Sequence, residues 1–235
     1  MGAIVSAYRW IAGGLYMIGV CTASIVASLL VPVHAWDPCL KSLLRGLFKV
    51  LFIRVDVRGT ERVPRGRACV FMSNHVSYLD LPIFAAFLPG VIRGFELASH
   101  FRWPLWGSFL RRMGNIPVDR TSVFSSIRSF RNARRRIESG DSLVILPEAE
   151  RTHDGRLQPF KRLPFLMAIK AGADLVPIGL SGLYSIWPRG SLRIVGRSCA
   201  LAVGEPVPAE SVRSLSVDEL LRVTRERVSS LIVRP

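Results

Sequence analysis

Between Ile11 and Val33 the chain carries no charged side chain, and a run of about 23 residues is what a helix needs to cross a hydrocarbon core. No other feature restricts the fold as strongly, because backbone groups that enter lipid must be satisfied within their own segment, which makes such a run helical. Gly13, Gly14, Gly19, Ser24 and Ser28 dilute its hydrophobicity, so a helix buried in protein or half-inserted in one leaflet fits the same residues. A cleaved leader fits less well, since Arg9 alone precedes the run and the run is longer than the apolar part of such leaders. Met1-Gly2 with Ser6 formally matches a myristoylation pattern, which a neighbouring apolar helix makes redundant.

Pro32, followed by Asp37-Pro38, is expected to separate this helix from a second one. From Leu40 to Phe52, Lys41, Arg45 and Lys49 recur every four residues while Leu40, Leu43, Leu44, Leu47, Phe48 and Leu51 fill the other side. This is an amphipathic helix with a cationic stripe, expected to lie at a membrane interface, with packing on a globular domain as the alternative. The chain then divides into residues 1–52, the membrane and interfacial helices, and residues 53–235, a globular domain. Positive charge is denser after the first helix than before it, which puts the domain on the cytoplasmic side if that helix spans.

A net charge of +15 asks for anionic partners, either lipid or nucleic acid. The membrane-length run favours a lipid bilayer, and the dispersed arginines carry no nucleic-acid motif, so no nucleic-acid partner is expected. Cys21, Cys39, Cys69 and Cys199 lack metal-ligand or disulfide spacing and are read as reduced, small apolar side chains, with no metal site.

Beyond residue 53, short apolar runs alternate with helical patterns. Strands are expected at Ile53 to Val57, Ala68 to Met72, Ser142 to Leu146 and Leu175 to Leu180, with a further pair at Leu192 to Val195 and Leu201 to Val203. Helices are expected at Pro104 to Met113, Ser122 to Glu138, Phe165 to Ala171 and Val217 to Val233. The fold class is therefore α/β, a mixed and largely parallel sheet flanked by helices and preceded by the N-terminal membrane-embedding helix pair.

Chemistry gathers where the apolar strands stop. Ala68 to Met72 gives way to Ser73, Asn74 and His75, with Asp80 five residues after the histidine across a Val-Ser-Tyr-Leu segment that can turn back. A carboxylate bonded to one ring nitrogen leaves the other as a general base, and open α/β sheets place such groups at strand ends. Ser142 to Leu146 likewise opens into Pro147-Glu148-Ala149-Glu150-Arg151. Glu148 can bond a hydroxyl or pair with a cation, and the planar fork of Arg151 suits a phosphate; a solvated Glu-Arg turn fits the same residues. Gly114 to Arg120 ends in an Asp-Arg pair ahead of a helix, where Arg120 can form an anion site or a salt-bridged corner. Pro159-Phe160-Lys161-Arg162 adds two cations beside an aromatic ring.

Asn74-His75 with Asp80, Gly114 to Arg120, Pro147-Glu148 with Arg151, Phe160-Lys161 and Val176-Pro177-Ile178 fall in the order of the sequence blocks of the glycerolipid acyltransferases. Over about Arg54 to Leu180 the chain resembles bacterial 1-acylglycerol-3-phosphate acyltransferases, and its apolar N-terminus resembles their membrane-embedding helix pair. The resemblance implies transfer of a fatty acyl group from acyl-CoA or acyl-carrier protein, with no bound cofactor, to the hydroxyl of a lysolipid at the inner membrane. It gives His75 the role of base and Asp80 that of its orienter. It assigns substrate binding to Asn74, Arg120, Glu148, Arg151 and Lys161, and the acyl path to Val176 to Ile178.

Two departures bear on the acceptor. The third block usually reads Glu-Gly-Thr-Arg, whereas this chain has Glu148-Ala149-Glu150-Arg151, and the lysines common ahead of the second block are absent, with only Arg93 nearby. A carboxylate beside a phosphate site is unfavourable unless it turns away, which keeps a lyso-ornithine lipid or another lysophospholipid as an alternative acceptor. A non-catalytic membrane-binding protein that keeps the fold is the alternative of another class.

Overall fold

The structure, a computed structural model, describes residues 2–119 and 123–233. Two helices, α1 (Gly2–Leu30) and α2 (Val33–Val50), lead into β1 (Arg54–Arg58), β2 (Cys69–Ser73), α3 (Asp80–Phe87), β3 (Ile92–Leu97), α4 (Trp106–Arg112) and β4 (Ile116–Val118). There follow α5 (Val123–Glu138), β5 (Ser142–Ile145), α6 (Arg162–Ala171), β6 (Asp174–Ser181), α7 (Leu183–Ile186), β7 (Ser198–Val203), α8 (Ala209–Ser214) and α9 (Val217–Leu231).

The strands form a sheet in the order β1-β7-β6-β2-β5-β3-β4. Each neighbouring pair is parallel except β6 with β7. Strands β2 to β6 therefore end at one edge, which is where a site is expected in such a sheet. The central strands β2 and β5 are buried at every residue, as strands covered by helices on both faces must be. Pro177 is tolerated within β6 because its carbonyl points to the β7 side, where it accepts from Gly204 N–H (2.9 Å), so its missing donor takes nothing from the β2 ladder.

Side-chain alternation divides the core. Phe71, Val144 and Val176 face α1 to α4, whereas Val70, Leu143 and Leu175 face α5, α6, α8 and α9. The first of these cores includes Val20 and Cys21 of α1 and Leu40, Leu44, Leu47 and Phe48 of α2, so it runs across the boundary expected at residue 53. Burying side chains of that size is worth about 1.5–3 kcal/mol each, so the helix pair is fixed to the domain.

Helix α1 is long and apolar enough to cross a membrane, and most of it is not covered by the rest of the chain. It starts at Gly2, nine residues before the uncharged run, because Arg9 is accommodated inside it. Arg9 is 2% exposed and its Nη1 donates to the carbonyls of Ile194 (3.1 Å) and Gly196 (2.8 Å). Ile4, Ile11, Leu15, Ile18, Leu29 and Leu30 are exposed along its outer side. On the inner side Tyr16 lies over Gly46 of α2, where a Cβ would collide with the ring, and its hydroxyl donates to Leu43 O (2.9 Å).

Two expectations for α2 are corrected. It begins at Val33 and continues through Pro38, which removes one intrahelical bond but does not end the helix. Its cationic stripe does not lie out at an interface as a whole: Lys41 Nζ donates to Ala85 O (3.2 Å) and Leu88 O (2.8 Å), and Arg45 Nε to Ala86 O (2.9 Å). These are the orphan carbonyls at the end of α3, which attract cations; Arg45 and Lys49 are both exposed, and Lys49 makes no such contact among the described residues. Leu192 to Val195 is not a strand, because α1 takes its backbone groups: Ile194 N–H donates to Ser6 Oγ (3.1 Å) and Trp10 Nε1 to Leu192 O (2.8 Å). β3 was not expected. Its Arg93 interrupts the apolar run and is buried only because Asp141, at the entry to β5, accepts from Arg93 Nε at 2.9 Å.

Candidate active site

The β2 strand ends at Ser73, and the residues that follow are held by the neighbouring strands. Asn74 is 2% exposed; its Nδ2 donates to Leu180 O (2.9 Å) and its Oδ1 accepts from Leu180 N–H (2.8 Å). Both ends of the amide are thus engaged by the end of β6, so Asn74 supports the loop that carries His75. His75 follows with its side chain 20% exposed.

Asp80 is fully buried at the first turn of α3, where the helix dipole favours an anion. Its Oδ2 lies 2.7 Å from His75 Nδ1 and also accepts from Val76 N–H (2.7 Å) and Ser77 N–H (3.0 Å). Those bonds offset the cost of burying a carboxylate and close the segment 75–80 into a tight loop. The carboxylate therefore holds Nδ1 as the protonated nitrogen and leaves Nε2 to act as a base.

Glu148, after β5, is 2% exposed and bridges two loops. Its Oε1 accepts from His75 N–H (2.6 Å) and its Oε2 from Gln158 N–H (2.8 Å), while Thr152 N–H donates to His75 O (2.9 Å). The backbone of the histidine is clasped on both sides by the 147–158 segment. Burial pushes the Glu148 carboxyl up to about 7, against the two amide bonds that lower it, with the Asp80 charge raising it further. Its oxygens are committed to the backbone, where the sequence suggested a hydroxyl or a cation.

Ala149 adopts φ +66°, a left-handed conformation that L-residues other than glycine seldom take. A glycine would meet that backbone need without strain, and the fold keeps it with an alanine. Glu150 is turned outward and pairs with Arg189 Nη1 at 2.8 Å. Arg151 lies with its guanidinium carbon 3.4 Å from the centroid of the Tyr78 ring. Its Nη1 is buried without a hydrogen-bond acceptor among the described residues. Lys161 is exposed at the start of α6, with its N–H donating to Pro147 O (2.8 Å). Arg120 lies outside the described residues.

Val176 and Ile178 are fully buried inside β6 and do not line the apolar cleft that opens on the α1 to α4 side of the sheet. That cleft is bordered by Leu40, Leu44, Phe84, Trp106, Phe109 and Leu110. Burial pushes the Cys69 thiol up to about 11 and the Cys199 thiol to about 12, so neither is a thiolate nucleophile at neutral pH. Sequence reasoning missed Tyr78, Trp187 and Gln158. Tyr78 and Gln158 lie within or beside the blocks singled out, but no spacing marks Trp187, which reaches the site through the fold.

The family model described as Acyltransferase matches residues 54–181. The chain is 33% identical over 141 residues to the chloroplastic 1-acyl-sn-glycerol-3-phosphate acyltransferase BAT2 of Brassica napus, covering 60% of this chain and 41% of that protein. It is 33% identical over 186 residues to 1-acyl-sn-glycerol-3-phosphate acyltransferase alpha of Bos taurus, covering 77% and 63%. It thus spans less than two thirds of the length of these relatives. The crystal structure of the 1-acyl-sn-glycerophosphate (LPA) acyltransferase PlsC from Thermotoga maritima shares the fold with a TM-score of 0.85 at 21% identity, over 97% of this chain and 93% of that one. With the family's match covering more than half its length, from β1 to the end of β6, the chain belongs to the acyltransferase family.

Proposed function

We propose that the protein is a membrane-bound O-acyltransferase that moves a fatty acyl group from an acyl thioester to the free hydroxyl of a lysolipid, 1-acylglycerol-3-phosphate being the acceptor favoured. The observation that carries this reading is the 2.7 Å bond between His75 Nδ1 and a fully buried Asp80. His75 Nε2 takes the proton of the acceptor hydroxyl as its oxygen attacks the thioester carbonyl. The tetrahedral adduct then expels the thiolate, which recovers the proton from the imidazolium whose charge Asp80 stabilises. A hydroxyl has a pKa far above neutrality, so a base in this position contributes about 100- to 10,000-fold.

Arg151 supports a phosphate-bearing acceptor, and the outward pairing of Glu150 with Arg189 removes the main objection to one. The apolar cleft beside α2, α3 and α4 is a place for an acyl chain on the face of the sheet that carries α1. The exposed apolar side of α1 supports work at a lipid surface, with the domain facing the cytoplasm at the inner membrane. The donor is acyl-CoA or acyl-carrier protein.

Purified protein in detergent, given each donor and a panel of lysolipids, is expected to release free thiol, and His75→Ala to release it at the background rate. Turnover by His75→Ala equal to wild type contradicts the assignment. Preference for a lyso-ornithine lipid or a phosphate-capped acceptor redirects it. Failure of every pair, with the fold intact, favours the non-catalytic reading.

A further inference from the structure

Arg151 belongs to a stack of side chains that reaches α1. Its guanidinium covers the Tyr78 ring at 3.4 Å. Tyr78 packs on Trp187, with centroids 4.6 Å apart and planes at 34°, and Trp187 meets Trp10 of α1 edge-on at 5.0 Å and 80°. Hydrogen bonds fix the stack at each level. Ser77 Oγ donates to Trp187 O (2.9 Å), Trp187 Nε1 to Ser191 O (3.0 Å) and Trp10 Nε1 to Leu192 O (2.8 Å). Four chain segments distant in sequence therefore meet in one stack that ends on a cation.

We propose that Tyr78 and Trp187 are positioning residues of the acceptor site, holding the Arg151 guanidinium flat so that its in-plane N–H groups meet the acceptor's anionic group. The assignment rests on the reading of Arg151 as a ligand of a phosphate-bearing lysolipid. Stacking occupies the face of a guanidinium and leaves its edge free for bidentate bonding to phosphate. Nη1 lies on that edge, a buried donor with no acceptor among the described residues that an anion would satisfy. Tyr78 lies between His75 and Asp80 in the chain, so the ring that carries the cation is anchored by the loop that carries the base. Anion and hydroxyl are thereby located relative to each other. The contact with Trp10 makes the seat of the apolar helix part of the same stack.

The test uses the full chain in detergent, with 1-acylglycerol-3-phosphate and uncharged 1-monoacylglycerol as probes. Binding is measured calorimetrically in the His75→Ala background, where no turnover intervenes, and kinetics in the active enzyme. Tyr78→Leu is expected to weaken binding of the phosphate-bearing lipid by about 5- to 30-fold, the equivalent of a face-on cation–π contact of about 1–2 kcal/mol. Binding of the uncharged lipid should hold, and Tyr78→Phe should restore the preference. Trp187→Leu should act in the same direction as Tyr78→Leu. In the active enzyme the acceptor KM rises by the same factor while kcat changes by less than about threefold. In an Arg151→Met background Tyr78→Leu should have no further effect on either lipid.

Equal losses for both lipids, additivity with Arg151→Met, or a wild type without preference for the phosphate-bearing lipid overturns the proposal. Lack of turnover with an intact Tyr78-dependent preference supports the positioning role and removes the acyl-transfer reading. Normal turnover with no Tyr78 dependence does the reverse.

Discussion

Replacing Glu148 by glutamine should make the stability of the protein less dependent on pH, although it removes a buried hydrogen-bond acceptor. Glu148 is 2% exposed and its carboxyl is pushed up from 4.5 to about 7 by burial. Because the folded value lies above the unfolded one, the unfolded chain releases its proton first as pH rises. Stability then falls between about 4.5 and about 7, with the full penalty in place above that window and none below it. The penalty is about 3 kcal/mol at 1.36 kcal/mol per pH unit. Glutamine has one acceptor oxygen where Glu148 offers two, and its NH2 meets a backbone donor, so Glu148→Gln should be less stable than wild type near pH 5 by about 1–3 kcal/mol. Between pH 5 and pH 8 that deficit should shrink by about 3 kcal/mol, or about 6–12 °C in unfolding midpoint for a chain of this size. Thermal unfolding of both proteins in one detergent across pH 5 to 8 measures the difference. A difference that stays constant across that range, or a deficit that widens toward alkaline pH, would falsify the account of the buried carboxylate. The same substitution leaves His75 N–H or Gln158 N–H without an acceptor, so turnover should fall by about 10- to 100-fold even at the pH where the stability difference is smallest.

Three further outcomes follow from single contacts. Asp80→Asn presents an amide donor to His75 Nδ1 and favours the wrong tautomer, so kcat should fall by about a thousandfold with the fold retained; a loss under tenfold would exclude Asp80 as the orienter. Ala149→Gly relieves the strain at φ +66°, worth about 1–2 kcal/mol, against about 0.5–1 kcal/mol of added chain entropy. It should raise the unfolding midpoint by a few degrees, and a lower midpoint contradicts this. Asp141→Ala leaves buried Arg93 without its partner and should cost about 3–5 kcal/mol in chemical unfolding, whereas Glu138→Ala, which breaks an exposed pair with Arg134, should cost under about 0.5 kcal/mol.

Much of the sheet was legible beforehand because β2, β5 and β6 are central strands covered on both faces, and such strands must be continuous apolar runs. β3 was hidden for the converse reason. Arg93 and Glu96 look like surface residues, and Arg93 is buried only through Asp141, 48 positions away. Leu192 to Val195 reads as a strand by composition, but strand formation needs a neighbouring ladder, and α1 supplies side-chain partners there. The cationic stripe of α2 has the spacing of an interfacial helix. Periodicity cannot tell a lipid surface from the carbonyl end of α3, because both attract positive charge.

The same division holds at the site. The pairing of His75 with Asp80 is local, five residues across a loop that the Asp80 carboxylate itself closes, so sequence determines it along with the apolar helix and the polar ends of the central strands. The tasks of Asn74 and Glu148 are decided by tertiary structure alone. Each side chain has two polar atoms whose partners, Leu180, His75 and Gln158, are brought up by other strands and loops. Likewise Trp187, 109 positions from Tyr78, meets it only because Ser77, α7 and α1 enclose one space. Local sequence sets which groups are present and which short loops they close; which buried donors and acceptors face each other follows from chain packing, to which no single segment holds the key.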